Sequence, residues 1–443
     1  MKLVFPTENK EAKSSLHQRL NFASQNKEDY MKKALSILLA MGMTVGMVAG
    51  CGDTADNSSA AASTEAGTDG TQAAASAADI KVGVIYIGDE NEGYTAAHMA
   101  GIDEMAANLG LSDDQIIEKT TIPEDESCYD AAVDLADQGC NIIFATSFGH
   151  ETYILQAAQE YPDIQFCHAT GYQAASSGLS NMHNYFDAIY EARYVSGVVA
   201  GMKLNEMIEN GDITADQAKI GYVGAFPYAE VISGFTSFYL GAKSVCESVT
   251  MEVQYTNSWA DMTAEGEVAN QLIADNCVLI SQHADTTGAP SACETAGVPC
   301  VGYNVDMTSV APDAALTSPT NNWGVYYTYA VQCVLDGKAI DTDWCKGFSE
   351  DAVRITPVNE AVAAEGTDAK VEEVEAALKD GSLHVFDTST FTVNGSSLED
   401  LIAEGGDYAK YADYVSDGYY HESELASAPS FDIIIDGITS QAN

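Results

Sequence analysis

Short apolar segments alternate with longer amphipathic segments along most of the chain, beginning at Ile80. The segments at 80–87, 141–146 and 164–169 are mostly apolar, as strands buried on both faces are, and helical periodicity fills the intervals between them. The same alternation restarts with KIGYVGA at Lys219. Strands separated by helices in this way predict parallel sheets covered on both faces. The pattern therefore predicts an α/β protein made of two doubly wound parallel-sheet lobes.

The two series also resemble each other, which indicates lobes of the same topology. The segment 141–172 (strand, SFGHE, helix, strand, HATGY) corresponds to 277–306 (strand, SQHAD, helix, strand, GYNVD). In doubly wound sheets ligands bind at the carboxyl ends of the strands, so two such lobes joined by a hinge form a cleft that can close. The predicted boundaries are 80–186 for lobe 1, completed by about 315–345; 187–314 for lobe 2, completed by about 346–380; and 381–443 for a C-terminal tail packed on the lobes.

The N-terminal region has the features of an export signal. A basic Met-Lys-Lys segment at 31–33 is followed by the apolar run 34–48 and by small residues before Cys51. This order is typical of a secretory signal peptide, and a cysteine at the cut resembles the lipobox of bacterial lipoproteins. We expect 1–50 to be an upstream extension plus signal peptide, and 51–79 to be a lipidated cysteine and a disordered linker that hold the protein on the extracytoplasmic face of the cell membrane. The alternative is a chance cysteine behind an uncleaved anchor.

Acidic side chains dominate the composition and narrow the range of partners. The chain has 66 Asp and Glu against 19 Lys and Arg, a formal net charge of −47. Such a surface repels phosphate backbones and anionic lipid headgroups, so we expect no nucleic acid and contact with the membrane through the lipid anchor only.

The chain has ten cysteines. One is Cys51, and the other nine show no CxxC spacing. Several lie in apolar strand-like segments, which predicts mostly free, buried thiols.

Three patterns that could carry catalysis or a metal are incomplete. Gly88 and Gly93 have the spacing of a P-loop, but Tyr94 occupies the position of the phosphate-binding lysine and the loop contains three carboxylates. Ser147 lies at a strand-to-helix turn that lacks one glycine of a nucleophile elbow, and a helix-capping serine explains it more simply. The eight histidines form no HxH or HExxH motif. We therefore expect no catalytic residue, no metal and no cofactor.

What recurs after the predicted strands is an aromatic side chain with a polar partner. The candidate ligand-binding residues selected on this basis are Tyr94, Ser147, Phe148, Asn184, Phe186, Trp259, Asp285, Asp306 and Trp323. Aromatic faces with a few directed hydrogen-bonding groups suit a flat, uncharged heterocycle, and a carboxylate that accepts from a ring N–H matches purines better than sugars or inorganic anions. The alternative for each aromatic residue is packing in the core of its lobe.

A series of motifs runs from about Lys81 to the late 380s: VGVIYIG–GYTAAH, QGCNIIFATSFGH, NYFDAIYEARYVSGVVAG, KIGYVGAFPYAEVISG, NSWAD, QHAD, GYNVDM and LTSPTNNWG. In order and spacing they resemble the basic membrane protein (BMP) family of ABC-transporter solute-binding lipoproteins, in particular the branch that takes purine nucleobases or nucleosides. The resemblance implies a type I periplasmic-binding-protein fold and a purine nucleobase or nucleoside in the cleft. It also implies an ABC permease and ATPase as partners, a monomer, and no catalysis.

The resemblance further implies roles for individual residues. It makes Tyr94, Phe186 and Trp259 stacking residues, and Asp306 the polar group that reads the base. The turn after the first strand reads GDENEGYT, whereas nucleoside-binding relatives carry an Asp-rich turn that grips the ribose, so a free base is favoured. A ligand-sensing receptor of the same fold, or a binder of another small neutral solute, is the alternative.

Overall fold

A computed structural model describes residues 78–441, and its central feature is a pair of parallel β-sheets covered by helices. The predicted signal peptide, the predicted lipidation at Cys51 and nearly all of the predicted linker lie outside the described residues. The alternation of strands and helices is confirmed, and with it the α/β class and the two parallel-sheet lobes.

The first sheet and its helices form lobe 1. Their elements are β1 (Val82–Ile85), α1 (Gly93–Leu109), β2 (Ile116–Lys119), α2 (Glu126–Asp137), β3 (Ile142–Ala145), α3 (Glu151–Glu160), β4 (Gln165–Ala169), α4 (Ala174–Ser177), β5 (Met182–Tyr185), and the later α9 (Gly324–Asp336) and β11 (Asp343–Trp344). The strand order is β2-β1-β3-β4-β5-β11, parallel throughout. β1 is buried along its whole length, as a central strand covered on both faces must be.

The second sheet and its helices form lobe 2. Their elements are α5 (Ile189–Asn210), β6 (Lys219–Gly224), α6 (Ala229–Val245), β7 (Thr250–Tyr255), α7 (Met262–Ala274), β8 (Leu279–His283), α8 (Gly288–Ala296), β9 (Cys300–Val301), and the later α10 (Thr367–Lys379) and β15 (Ile438–Gln441). The strand order is β15-β7-β6-β8-β9, again parallel throughout. α5 and α6 pack closely because each brings a glycine to the contact: a Cβ on Gly197 would lie 2.0 Å from the carbonyl oxygen of Phe238.

Three connections join the lobes. The chain leaves lobe 1 after β5, returns after β9 through β10 (Pro319–Asn321), and leaves again after β11 through β12 (Val353–Ile355). β10 and β12 pair antiparallel with each other, outside both main sheets. This pairing was not predicted from the sequence.

The C-terminal tail, 381–443, is predicted to pack on the lobes, but its sequence shows no clear period that would predict its strands and helices. It contains α11 (Leu398–Glu404) and the short antiparallel pair of β13 (Val415–Ser416) and β14 (Tyr419–Tyr420). Its last strand, β15, then pairs with β7, so the tail extends the sheet of lobe 2.

Two further features concern thiols and membrane contact. The nine cysteines of the described region are free, and eight of them are buried, which confirms the predicted unpaired thiols.

Across residues 78–441, no helix is both long and apolar enough to cross a bilayer.

Candidate ligand-binding site

A cavity lies between the two lobes, where the carboxyl ends of both sets of strands face each other. Its space is about 580 Å³, including solvent at its mouth. The wall from lobe 1 consists of Ile87, Gly88, Glu92, Tyr94, Thr146, Ser147, Phe148 and Thr170. The wall from lobe 2 consists of Glu230, Trp259, Ala260, His283, Asp285 and Tyr303.

Aromatic rings stand on both walls. Tyr94, in the first turn of α1, is buried, and its hydroxyl donates to the carbonyl of Thr146 at 2.7 Å. Trp259, in the loop after β7, is half-buried and meets the ring of Phe226 edge-on, with centroids 5.2 Å apart. The structure therefore brings an aromatic residue from each lobe to one cavity, as a stacking site requires.

Carboxyl groups line the cavity from both lobes. Asp285 is buried and accepts from the Asn304 side-chain amide at 2.8 Å; burial, aided by nearby acidic groups, raises the pKa of its carboxyl well above the usual value. Glu92 caps α1 by accepting from the backbone N–H groups of Tyr94 and Thr95, and burial raises its pKa too. Such groups can accept from ring N–H donors when ionised, and can donate when protonated.

A buried cation lies behind the lobe 2 wall. The Arg193 guanidinium lies 3.8 Å from the centre of the Tyr303 ring and donates to the Tyr222 hydroxyl and the Gln282 carbonyl, both at 2.7 Å. Within residues 78–441, no carboxylate lies within ion-pair distance of this side chain. Its positive charge is instead stabilised by the negative face of the Tyr303 ring, which lines the cavity.

Glu230 and His283 form the neighbouring part of that wall. His283 Nε2 lies 3.3 Å from a Glu230 carboxyl oxygen. Burial raises the pKa of Glu230 to about 7, with Arg193 acting in the opposite direction. Burial, together with Arg193, holds the pKa of His283 well below its usual value, so the imidazole is neutral at physiological pH.

Five of the nine predicted site residues line the cavity and four do not. The five are Tyr94, Ser147, Phe148, Trp259 and Asp285. Trp323 and Phe186 are instead core residues: both are fully buried, the Trp323 ring stacks on His98 with centroids 4.1 Å apart, and Phe186 packs against it. The Trp323 ring in turn meets that of Tyr94 edge-on, with centroids 6.1 Å apart, and neither Trp323 nor Phe186 is part of the cavity wall.

Asn184 and Asp306 also lie outside the cavity wall. The Asn184 side chain is used within lobe 1, where it accepts from the backbone N–H of Ala174 at 2.8 Å and donates to Glu151. Asp306 is exposed and caps a single helical turn by accepting from the Thr308 N–H at 2.8 Å. The acidic groups that do face the cavity are Glu92, Glu230 and Asp285.

The sequence reasoning left Glu92, Glu230, Tyr303 and Arg193 out of the site. The sequence contains a signal for Arg193, because it is one of three arginines in a chain with 66 acidic residues and is followed by the mostly apolar segment YVSGVVAG. A buried arginine in such a helix needs polar partners, which directs attention to the wall it supports.

Comparison with known proteins identifies the family. The family model for PnrA-like ABC transporter substrate-binding proteins (Bmp) matches residues 80–383. The chain belongs to this family. It is 33% identical over 311 residues to the purine-binding protein of Brucella abortus, covering 69% of this chain and 83% of that protein. It is 36% identical over 197 residues to a protein provisionally named an ABC transporter glucose-binding protein, from Haloferax volcanii, covering 44% of this chain and 46% of that one.

A solved structure confirms the fold prediction. An ABC transporter solute-binding protein from Conexibacter woesei aligns with a TM-score of 0.56 at 19% identity, covering 69% of this chain and 98% of that one. At this identity the likeness shows a shared architecture and not a shared ligand. The family and the architecture together make this protein the solute-binding component of an ABC transporter.

Proposed function

We propose that this protein binds a purine nucleobase in the interlobe cavity and delivers it to the permease and ATPase of an ABC importer. The observation that carries the proposal is the placement of Tyr94 and Trp259 on opposite walls of one cavity that also contains carboxyl acceptors. A flat ring with N–H donors can use both features. The purine-binding relative from Brucella abortus supports the same class of ligand.

The charge of the cavity argues against an anionic ligand. Its lining includes Glu92, Glu230 and Asp285, and none of the residues that line it is a lysine or arginine. A negatively charged solute would therefore meet acidic groups without a compensating cation at the surface. Neutral bases that present N–H donors avoid this repulsion.

The turn after β1 supports a free base over a nucleoside. The side chain of Asp89 accepts from the backbone N–H of Asn91 at 3.0 Å, and Glu92 caps α1. These acidic side chains stabilise the turn itself, and Asp89 is not part of the cavity wall. A ribose would therefore have to find its hydrogen bonds elsewhere.

The proposed setting is the extracytoplasmic face of the membrane, with lipid on Cys51 and a binding rather than catalytic role. A Cys51→Ser variant should move from the membrane fraction to the soluble fraction, whereas Cys345→Ser should stay with the membrane. A Cys51→Ser protein that stays in the membrane fraction would refute lipid anchoring.

Binding is tested by calorimetric titration of protein from which any ligand has been removed. The ligands tested are adenine, guanine, hypoxanthine and their nucleosides, with glucose as the sugar for comparison. We expect at least one base to bind, more tightly than its nucleoside, and glucose to give no heat. Binding of glucose with no response to any base would overturn the proposal. Native mass spectrometry of protein purified without refolding provides an independent check on the ligand retained.

A further inference from the structure

Two exposed aromatic rings face each other across the mouth of the cavity. Phe148 follows β3 on lobe 1 and Tyr228 precedes α6 on lobe 2, and their ring centroids lie 5.8 Å apart with an interplanar angle of 29°. Their side chains are 41% and 43% exposed. Because the two residues belong to different lobes, this contact can exist only while the lobes are together.

The pair is continuous with the binding wall. The ring of Tyr228 stacks on that of Phe226, with centroids 5.1 Å apart, and Phe226 meets Trp259 edge-on. Phe148 lines the cavity, whereas Tyr228 does not. Four rings therefore follow one another from lobe 1 to the cavity wall of lobe 2: Phe148, Tyr228, Phe226 and Trp259. We call the contact between Phe148 and Tyr228 the lip of the cleft.

A second contact joins the lobes close to the carboxyl groups. The backbone N–H of Gly93, at the start of α1, donates to the backbone carbonyl of Asp285 at 3.0 Å. A Cβ at Gly93 would lie 3.0 Å from that oxygen, so the glycine permits this approach. The lobes therefore meet both beside the ligand wall and at the lip.

We propose that Phe148 and Tyr228 form an aromatic latch that sets the rate at which the solute is released. This inference rests on the proposed binding function. Tyr228 acts as a positioning residue, since it holds the closed state without touching the solute. The solute enters while the lobes are open and the two rings are apart, so removing the latch should raise the dissociation rate and leave the association rate nearly unchanged. Aromatic pairs of this geometry correspond to a change of roughly two- to tenfold.

The test is a double-mutant cycle on dissociation kinetics. Stopped-flow competition with hypoxanthine is measured for Phe148→Ala, Tyr228→Ala and the double variant. Tyr172→Ala is the matched control, because Tyr172 is an exposed aromatic residue on lobe 1 whose ring contacts Phe148 from the same lobe. We expect Tyr228→Ala to raise the dissociation rate several-fold, the double variant to exceed Phe148→Ala only slightly, and Tyr172→Ala to change it by less than twofold. Unchanged or fully additive rates would overturn the latch.

A second measurement separates this proposal from the binding proposal. In ligand-free protein, cysteines placed at 148 and 228 are treated with a short bismaleimide, and the linked peptide is quantified by mass spectrometry against a pair at 172 and 228. If no base binds but the 148–228 pair links faster than the control pair, the proposed ligand is wrong and the contact at the lip stands. If bases bind but the 148–228 pair links no faster than the control, the latch is wrong and the binding function stands.

Discussion

The two walls of the cavity differ in how their polar groups are used. On lobe 1, the hydroxyl of Tyr94 donates to Thr146 and that of Ser147 donates to Glu124. In this wall, as far as the structure describes it, Thr170 is the residue whose buried hydroxyl finds no protein partner. Lobe 1 thus presents a surface whose hydrogen bonds are largely complete before any solute arrives.

On lobe 2 the hydrogen bonds are incomplete. His283 Nδ1 and the Tyr303 hydroxyl are buried without a protein partner, and so are Nε and Nη2 of Arg193 behind them. Buried polar groups of this kind are costly unless a ligand or an ordered water satisfies them. We therefore expect the hydrogen bonds that distinguish one solute from another to be made by lobe 2.

The largest expected effect comes from removing the cation of lobe 2. Arg193→Leu deletes two hydrogen bonds from a charged donor, so we expect a loss of about 3 kcal/mol or more in the free energy of unfolding and loss of measurable solute binding. Arg193→Lys should rescue this only partly, because an ammonium group cannot reproduce the planar fork of donors. Chemical denaturation and calorimetry measure the two effects.

Arg354→Leu is the matched control for that experiment. Arg354 is exposed, so the free energy of unfolding should change by no more than about 0.5 kcal/mol. Wild-type stability in Arg193→Leu would show that lobe 2 does not depend on its buried charge.

A second contrast lies between the aromatic residues of the two walls. Trp259→Ala removes a half-buried stacking surface, so affinity for the base should fall by about one to two orders of magnitude with little change in melting temperature. Tyr94→Phe keeps the ring and loses one buried hydrogen bond, so it should cost about 1 kcal/mol of stability and leave affinity nearly unchanged. The opposite pattern, with Trp259→Ala costing stability and not affinity, would make Trp259 a core residue.

The third contrast concerns pH. Burial raises the pKa of Glu230 to about 7, so its carboxylate, the form that accepts from a ring N–H, is lost as the pH falls below that value. We expect affinity for a neutral base to decrease toward acid, by at most about tenfold per pH unit. Glu230→Gln should flatten this dependence, while the exposed Glu267→Gln should not. Tighter binding at pH 5.5 than at pH 8 would mean that the protonated acid is the binding form.

The smallest expected effect is at Asp306. Its carboxylate caps a turn outside the cavity, and asparagine is an equally good cap. Asp306→Asn should therefore change affinity by less than about twofold for every base tested. A change in the ranking of the bases would place this side chain in the site after all.

The fold could be predicted where buried strands are followed by helical segments. β1 and β6 stand out because apolar residues fill them and helical segments follow. The pairings of β10 with β12 and of β15 with β7 could not be predicted, because the partners lie apart in the chain and outside the regular alternation of strands and helices. The pairing of β15 with β7 joins residues nearly 190 positions apart.

The site could be predicted only in part for a related reason. Choosing aromatic residues that follow predicted strands gave Tyr94 and Trp259, which line the cavity. It also gave Trp323 and Phe186, which do not. Position after a strand fixes the end of the sheet at which a residue lies, but not the direction of its side chain. Arg193 was missed because it reaches the wall from a helix, across the thickness of lobe 2.

The most direct test of the proposed function is a crystal structure of the protein with the tightest-binding base. The account predicts the base in the interlobe cavity, stacked by Trp259 and bordered by Tyr94, with an N–H donating to Asp285 or Glu230. A saturated protein with an empty cavity, or a base bound elsewhere, would contradict it.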